Sequence, residues 1–505
     1  MTARRPFPLA LRATTLVLVA AGVTGCGTMI PEFMRPAAPV PASYPGTAST
    51  AAPDSQSAAD IEWQRYFGDP RLQRLIETAL NNNRDLRVAV LNIEQARAQY
   101  QVRRADEFPT VNGGITGSRQ PKVGDNGSGS SISSTYTAGL SITSYEFDFF
   151  GRVRSLSAAQ LAQFAGTEEA RKTVQISLVA SVANAWLGLL ADGELLAVTR
   201  RTLTSREESM KLTQLKFDHG ASSELDVRQA ESLLEGARVA LAQQTRQRAL
   251  DENALALLLG QPVPADALPP VTPVAVPAAA TTAMSSSTVP LLSAPSDSTE
   301  LAQTVLADLP AGLPSELLNR RPDIRQAEQQ LIAANANIGA ARAAFFPRIT
   351  LSTSVGIAST ELSDLFKGGT LAWSFAPQLV LPIFDAGRNQ ANLDAAQVNR
   401  DIAVAQYEKA VQSAFREVAD ALAGRATLGD QLRAQQAQAR AEETRTKLAD
   451  LRYRNGASSY LDVLDAQRSL FTAQQAVVQA QAAERQNRVT LYKVLGGGWK
   501  DAATQ

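Results

Sequence analysis

The 505-residue chain has almost none of the side chains from which catalytic and metal sites are usually built. It contains one His, His219, and one Cys, Cys26. A zinc site needs several Cys or His ligands, and a disulfide needs a second Cys. A Ser-His-Asp triad would have to use His219, which stands beside Gly220 in a predicted helix-ending turn. No phosphate-binding P-loop is present. We therefore expect no enzyme, no metal and no cofactor.

Other absences narrow the class of protein further. Lys plus Arg and Asp plus Glu each number 49, so the net charge is 0 and no nucleic-acid partner is indicated. After the first thirty residues we expect no apolar run long enough for a membrane-spanning helix. Proline is missing from 151–218 and from 388–455. Each stretch predicts an unbroken helix of roughly 65 residues, which is about 100 Å long at a rise of 1.5 Å per residue.

An internal repeat organises the chain. The sequence GASSELDV at 220–227 recurs as GASSYLDV at 456–463, which is 236 residues later (456 − 220). Gly151 and Arg152 recur as Gly387 and Arg388 at the same spacing. Because self-similarity at one spacing is the signature of repeated units, we predict two halves built on one plan.

The first residues resemble a bacterial lipoprotein signal. Two arginines precede a mostly apolar stretch from Leu9 to Val23, which is typical of a signal peptide. The stretch ends in Val-Thr-Gly-Cys, similar to a lipobox, which implies cleavage before Cys26 and acylation of that residue, for example with palmitate. Stable anchoring takes more than one lipid chain. In such lipoproteins an Asp directly after the Cys tends to retain the protein at the inner membrane. Because Gly27 stands there instead, we expect the outer membrane as the location. An ordinary signal peptide that happens to contain a Cys is the alternative.

Each half also contains two stretches with the alternation of a β-strand. Apolar residues at 349, 351, 355 and 357 alternate with polar ones, and a second alternating stretch runs from Leu371 to Ile383. Such alternation fits transmembrane barrel strands with apolar side chains outward, and Trp373 and Phe375 would suit the lipid interface. A hairpin of a soluble sandwich is the alternative. Four strands cannot close a barrel, and open edges are not tolerated in lipid, so several copies must pool their strands.

The proline-free helices turn at the repeated motif and return as second helices to about 259 and 495. Glycine supplies a left-handed helix C-cap there, and the following serine can cap the next helix. The long seams predict antiparallel coiled-coil packing. Between the halves, residues 262–299 are rich in Pro, Ala, Ser and Thr and predict a flexible connector or exposed excursion.

Five runs in the chain are similar to the TolC/OprM outer-membrane factor family. They are Arg320 to Ile324, Ile338 to Pro347, Leu381 to Phe384, Leu464 to Leu470 and Leu491 to Trp499. The resemblance implies an α+β membrane fold: a trimeric 12-stranded β-barrel with four strands per chain, continued by a long periplasmic α-helical barrel. It also implies the outer-membrane exit duct of a tripartite multidrug efflux pump, with a role in antibiotic resistance. The implied partners are two further copies, a periplasmic adaptor protein, an inner-membrane resistance-nodulation-division transporter and outer-membrane lipid.

These observations divide the chain into six segments. We assign 1–25 to the signal peptide, 26–60 to an acylated linker, 61–260 to the first repeat, 261–314 to a linker and equatorial region, 315–496 to the second repeat and 497–505 to a tail. The Pro/Ser/Thr-rich tract at 271–299 is longer than the family usually carries.

The second helical turn carries the residues that we predict to form a gate. Asp462 and Asp465 lie three apart on one helix face, so an oligomer would stack two carboxylate rings. Like charges about 4 Å apart cost roughly 1 kcal/mol in water, so the rings need water, protons, cations or arginines as partners, and Arg452 is a candidate. By resemblance, Leu461 and Asp465 match the periplasmic constriction, Asp462 matches a gate aspartate, and Arg452 and Tyr453 match residues that hold it closed. The alternative is that both aspartates are ordinary carboxylates in the first turn of a helix, where they interact favourably with the helix dipole.

The first turn lacks part of this arrangement. Asp226 keeps the cap position, but Gln229 replaces the second aspartate, so we predict that Asp226 is mainly structural. By the same resemblance, Ser458 stands where TolC has an arginine, so part of the set of contacts that holds the TolC gate closed is absent. The residues that we assign to the two turns are Gly220, Ser222, Asp226, Gly456 and Ser458.

Two other functions are open. One is the exit duct of a type I protein-secretion system. Efflux is favoured over secretion by the lipobox and by the family resemblance of the run from Tyr453 to Trp499. The other is a structural lipoprotein scaffold that spans the periplasm, which has no use for strands with one apolar and one polar face.

Overall fold

The computed structural model describes residues 27–41, 43–44, 60–123, 130–268, 301, 306–307, 309, 320–367 and 371–499. The predicted signal peptide, Cys26, residues 42 and 45–59 of the linker, the tract at 271–299 and residues 500–505 lie outside the described residues. The chain divides into two compact units. The first comprises Met1–Ala38, Leu91–Glu169 and Arg325–Ala410, and the second comprises Pro39–Val90, Ala170–Ile324 and Val411–Gln505.

The first unit contains one antiparallel sheet of four strands in the order β1-β2-β3-β4. The strands are β1 (Val111–Val123), β2 (Ser130–Phe147), β3 (Arg348–Ser359) and β4 (Leu371–Val380). Val355 pairs with Trp373, and Ser354 pairs with Ser374, whose hydroxyl lies 2.7 Å from its own. The predicted apolar and polar faces are therefore confirmed. The strand β4 ends at Val380, however, so the predicted alternation to Ile383 runs three residues too far.

The sheet of a single chain is incomplete in two respects. The strands β1 and β4 each pair on one side only within the described residues. The apolar side chains of β4 are also exposed, with Trp373 at 73% and Phe375 at 63%. Unpaired edges and a bare apolar face are both unfavourable in one isolated sheet.

The stretch from residue 70 to residue 105 forms two helices. They are α2 (Pro70–Asn82) and α3 (Arg84–Ala105), preceded by the short α1 (Trp63–Tyr66). Asp69 caps α2, its carboxylate accepting from the Arg71 amide at 2.7 Å. Asn83 separates the two helices because it adopts an extended backbone and its side chain donates to the Leu258 carbonyl at 2.9 Å.

Two long helices, α4 (Arg152–Asp218) and α7 (Arg388–Arg454), follow the predicted proline-free stretches. The others are α5 (Glu224–Leu259), α6 (Pro322–Ala343) and α8 (Tyr460–Val494). Each half therefore contributes two strands and one helical hairpin, which confirms the predicted α+β fold built from two similar halves.

The core of the second unit centres on the middle of α4, where Val182, Trp186 and Leu187 are fully buried. Nearby, the rings of Tyr66 and Tyr492 stack with centroids 4.1 Å apart. This part of α4 corrects one expectation, because an 18-residue window of the helix reaches a mean hydropathy of 1.6 and could cross a membrane by length and composition. Since 67% of that window is buried inside the chain, it is the core segment of a long helix.

Candidate gate at the helical turns

Both helical hairpins turn through the same backbone motif. Gly220 and Gly456 have φ angles of 72° and 70°. In each turn the alanine amide that follows donates a 6→1 hydrogen bond to a helix carbonyl, at 2.7 Å in the first turn and 2.8 Å in the second. This is a Schellman C-cap, which requires a left-handed residue and explains why glycine stands at both positions.

In the first turn, Asp226 is the centre of a tight capping box. One of its carboxylate oxygens accepts from the Ser223 amide at 3.0 Å, the Ser223 hydroxyl at 2.8 Å and the Ser222 hydroxyl at 3.0 Å. The Asp226 amide in turn donates to the Ser223 hydroxyl at 3.2 Å. Burial raises the pKa of Asp226, but these hydrogen bonds outweigh it and leave the pKa below its ordinary value. The carboxylate therefore belongs to the fold of the turn.

In the second turn the equivalent aspartate is held more loosely. The Ser459 amide donates to Asp462 at 3.3 Å, and the Asp462 side chain is exposed. The hydroxyl of Ser458, unlike that of Ser222, has no hydrogen-bond partner among the described residues. Leu461, the next predicted gate residue, is 55% exposed. The second turn thus leaves a carboxylate and a leucine available for contacts outside the chain.

Within one chain the partner of Asp465 is Arg445 rather than Arg452. The Arg445 Nη2 atom donates to Asp465 at 2.5 Å, and both side chains remain about half exposed. Arg452 lies in the last turn of α7 and points to the turn itself, where it donates to the Ala457 carbonyl at 3.4 Å. Because α7 and α8 run antiparallel, the residue two helical turns earlier on α7 lies beside Asp465.

Two tyrosines tie the second turn to the first hairpin. The Lys216 ammonium on α4 lies 3.1 Å from the Tyr453 hydroxyl and 4.4 Å from the centroid of its ring. The Tyr460 hydroxyl lies 2.6 Å from that of Ser209, also on α4. The two tyrosine rings are 5.2 Å apart. Tyr453 therefore makes a cation–π contact and a hydrogen bond between the hairpins, as a residue that holds a closed arrangement would.

Sequence reasoning missed Arg445, Lys216, Ser209 and Tyr460. A signal for Tyr460 was present, since it is the only mismatch within the repeated octamer, standing where the first copy has Glu224. It is 8% exposed and packs with Ala230, Val463 and Leu464 in a small apolar cluster. At this position the first turn carries a charged residue, whereas the second turn carries an aromatic one that packs against Ala230 of the first hairpin.

A known protein family matches both halves of the chain. The sequence profile of the outer membrane efflux protein family matches residues 75–261 and 313–497. The chain is 45% identical over 495 residues to the probable efflux pump outer membrane protein TtgC of Pseudomonas putida, and the match covers 96% of each chain. It is also similar to a crystal structure of a membrane protein from Pseudomonas aeruginosa, with a TM-score of 0.82, 42% identity and coverage of 93% and 100%. The open state of the Neisseria gonorrhoeae MtrE outer membrane channel gives a TM-score of 0.79 at 41% identity, with coverage of 94% and 99%.

Proposed function

Since this chain belongs to the outer membrane efflux protein family, we propose that it is the outer-membrane exit duct of a tripartite multidrug efflux pump. Membership makes it an outer-membrane protein of a channel family rather than of an enzyme class. The observation that carries the proposal is the sheet of four strands with two open edges and an exposed apolar face. Such a sheet is suited to lipid on one face and to further strands on both sides.

The duct is a homotrimer in this proposal. Known single-chain bacterial barrels begin at about eight strands, and three copies of four strands give about twelve. The edge of β1 in one copy would pair with the edge of β4 in the next, so that a cyclic arrangement leaves no edge open. The paired hydroxyls of Ser354 and Ser374 would then lie on the face towards the channel.

The duct moves its cargo passively. The chain carries no P-loop, and an energy source must therefore lie in a partner. The similarity to TtgC, a probable efflux pump outer membrane protein, supports an inner-membrane resistance-nodulation-division transporter and a periplasmic adaptor as those partners. We propose no cofactor and no metal, and we propose covalent lipid on Cys26 as the anchor.

The second helical turn is the gate. Leu461, Asp462 and Asp465 would meet their equivalents from the other copies, while Tyr453 and Arg452 stabilise the closed turn. The loose hold on Asp462 and the half-exposed Arg445–Asp465 pair support this assignment, because neither carboxylate is fully used by the fold. The description of MtrE as crystallised in an open state supports a duct of this fold with more than one state.

A matched pair of substitutions in β4 tests the orientation of the barrel and the function together. Trp373→Arg places a charge on the proposed lipid face, where it costs about 2–4 kcal/mol at the middle of the membrane and about 0–1 kcal/mol near the interface that Trp373 would suit, and Ser374→Arg places the same charge on the channel face. In cells that lack the gene, wild type and Ser374→Arg should lower the accumulation of a fluorescent efflux dye, while Trp373→Arg should assemble in the outer membrane in smaller amounts. Loss of assembly in both variants, or in neither, would contradict the proposed barrel. If cells that lack the gene accumulate no more dye than cells with the wild-type gene but fail to secrete a protein, the type I secretion duct would be favoured.

A further inference from the structure

The first described residues form a strap, residues 27–35, that lies along one face of α6. Ile30 approaches Gly339 so closely that a Cβ atom there would lie 2.7 Å from the Ile30 Cγ1 atom. The Pro31 carbonyl accepts a hydrogen bond from the Asn335 side chain at 2.8 Å. The strap therefore runs antiparallel to the helix, because successive strap residues contact positions nearer the start of α6.

The end of the strap is fixed by an ion pair. The Arg35 guanidinium donates two hydrogen bonds to the Glu328 carboxylate, at 2.7 and 2.8 Å. Positions 328, 335 and 339 are separated by seven and four residues and thus share one face of the helix. Contacts near both ends and in the middle hold the strap over most of its length.

Gly151 forms the seat for the beginning of the strap. A Cβ atom at Gly151 would lie 2.6 Å from the Thr28 Cα and 3.1 Å from the Gly27 carbonyl oxygen. Gly387, the repeat equivalent of Gly151, has no described residue within 4 Å of the same position. Both glycines have positive φ, so the turn explains both, but only Gly151 is closely approached. Of these two equivalent glycines, only Gly151 of the first repeat contacts the strap, and this contact holds Gly27 in place.

A shallow apolar groove of about 530 Å³ borders this seat. Met29 and Ile30 of the strap form one wall, and Phe345, Phe346 and Leu393 form much of the rest. Phe345 and Phe346 are 39% and 41% exposed. The volume lies within the range of about 300–1,000 Å³ that is common for ligand sites, and β3 begins two residues after Phe346. The groove therefore lies where the strands that we assign to the membrane begin.

We propose that this groove receives one of the acyl chains carried by Cys26, an inference that rests on the proposed lipidation of that residue. Cys26 directly precedes Gly27 and is three residues from Met29, so the connecting backbone can span at most about 10 Å. An unbranched acyl chain matches a groove with apolar walls. Arg342 and Gln390 also line the groove and can donate hydrogen bonds to the ester oxygens of a diacylglyceryl group. The glycine seat then acts as a positioning device, since it fixes the residue next to the lipidated one.

A photocrosslinking experiment on the full-length protein from membranes tests this proposal. Benzoylphenylalanine replaces Leu393 in the groove, and a control protein carries it at Val398, which is 56% exposed on the same helix and does not line the groove. After irradiation and digestion, mass spectrometry should find the α7 peptide joined to the acyl chain of the Cys26 peptide for position 393 and not for position 398. The Gly339→Val change should reduce this product at least fivefold by displacing Ile30. Gly166→Val is the matched control, because a Cβ there meets nothing nearer than Gln329 at an ordinary 3.5 Å.

The mass of the Cys26 peptide separates the two ways in which the inference can fail. An acylated peptide without the crosslink, or a probe that reacts only with phospholipid or with a peptide of a second copy, would overturn the groove and leave the anchor intact. An unmodified Cys26 peptide would overturn both the anchor and the groove. If the Gly339 variant does not fold, the comparison of positions 393 and 398 in the otherwise unchanged chain decides the matter.

Discussion

Replacing Asp226 with alanine should loosen the first helical turn far more than replacing Asp462 loosens the second. Asp226 accepts three hydrogen bonds of 2.8–3.0 Å, whereas Asp462 accepts one of 3.3 Å. Loss of a capping side chain costs about 0.5–2 kcal/mol, and we place Asp226→Ala near 1 kcal/mol and Asp462→Ala near 0.5 kcal/mol. Local opening should then rise about fivefold in the first variant and about twofold in the second.

Hydrogen exchange of the turn amides is the assay for this difference, because it reports local opening directly. The amides of residues 223–227 are followed in Asp226→Ala, those of 459–463 in Asp462→Ala, and each variant is the control for the other turn. Because the pKa of Asp226 lies below its ordinary value, the contribution of this cap is complete above about pH 4 and is lost as the pH falls through the lowered value. Equal loosening of the two turns, or greater loosening in Asp462→Ala, would refute the assignment of Asp226 to the fold and Asp462 to the gate.

Two further predictions concern the core of the second unit. Burial and the neighbouring Asp251 carboxyl raise the pKa of Asp192 to about 7, so the folded state favours the neutral form and stability falls as the pH rises from about 4 towards 7. Asp192→Asn should therefore raise the thermal midpoint, followed by circular dichroism, at pH 8 but not at pH 4, and an equal shift at both would contradict this. Gly424→Ala should lower the midpoint because a Cβ there would lie 2.4 Å from the Asn487 side-chain oxygen, whereas Gly429→Ala, which meets nothing nearer than 3.8 Å, should preserve or raise it. Similar shifts in these two variants would show that the close approach has no energetic weight.

The helices and strands were predictable because their signals are local. The absence of proline set the bounds of α4 and α7 to within about one residue, and alternation placed the apolar face of β3 and β4. The break at Asn83 was not predictable, because it depends on the Leu258 carbonyl, 175 residues further along the chain. Local periodicity cannot specify which distant group satisfies a side chain.

The same limit applies to the gate and to the strap. The turn glycines follow from the backbone that a Schellman cap needs, but the pairing of Arg445 with Asp465 depends on which faces of two helices meet. The Pro- and Ala-rich composition after Cys26 predicts an extended linker. It does not reveal that residues 27–35 are held on α6, because that contact depends on the absence of a side chain at Gly339.

Single-channel conductance in planar bilayers tests the central claim of a gated duct most directly. Purified wild type, Asp462→Ala/Asp465→Ala and the control Asp226→Ala are compared after each has been confirmed as a trimer. The account predicts a small conductance for wild type and Asp226→Ala and a sharp increase for the double variant, because only the second turn supplies the charged constriction. An Asp226→Ala channel that opens as readily would contradict the assignment of the gate. No conductance from any of the intact trimers would contradict the duct itself.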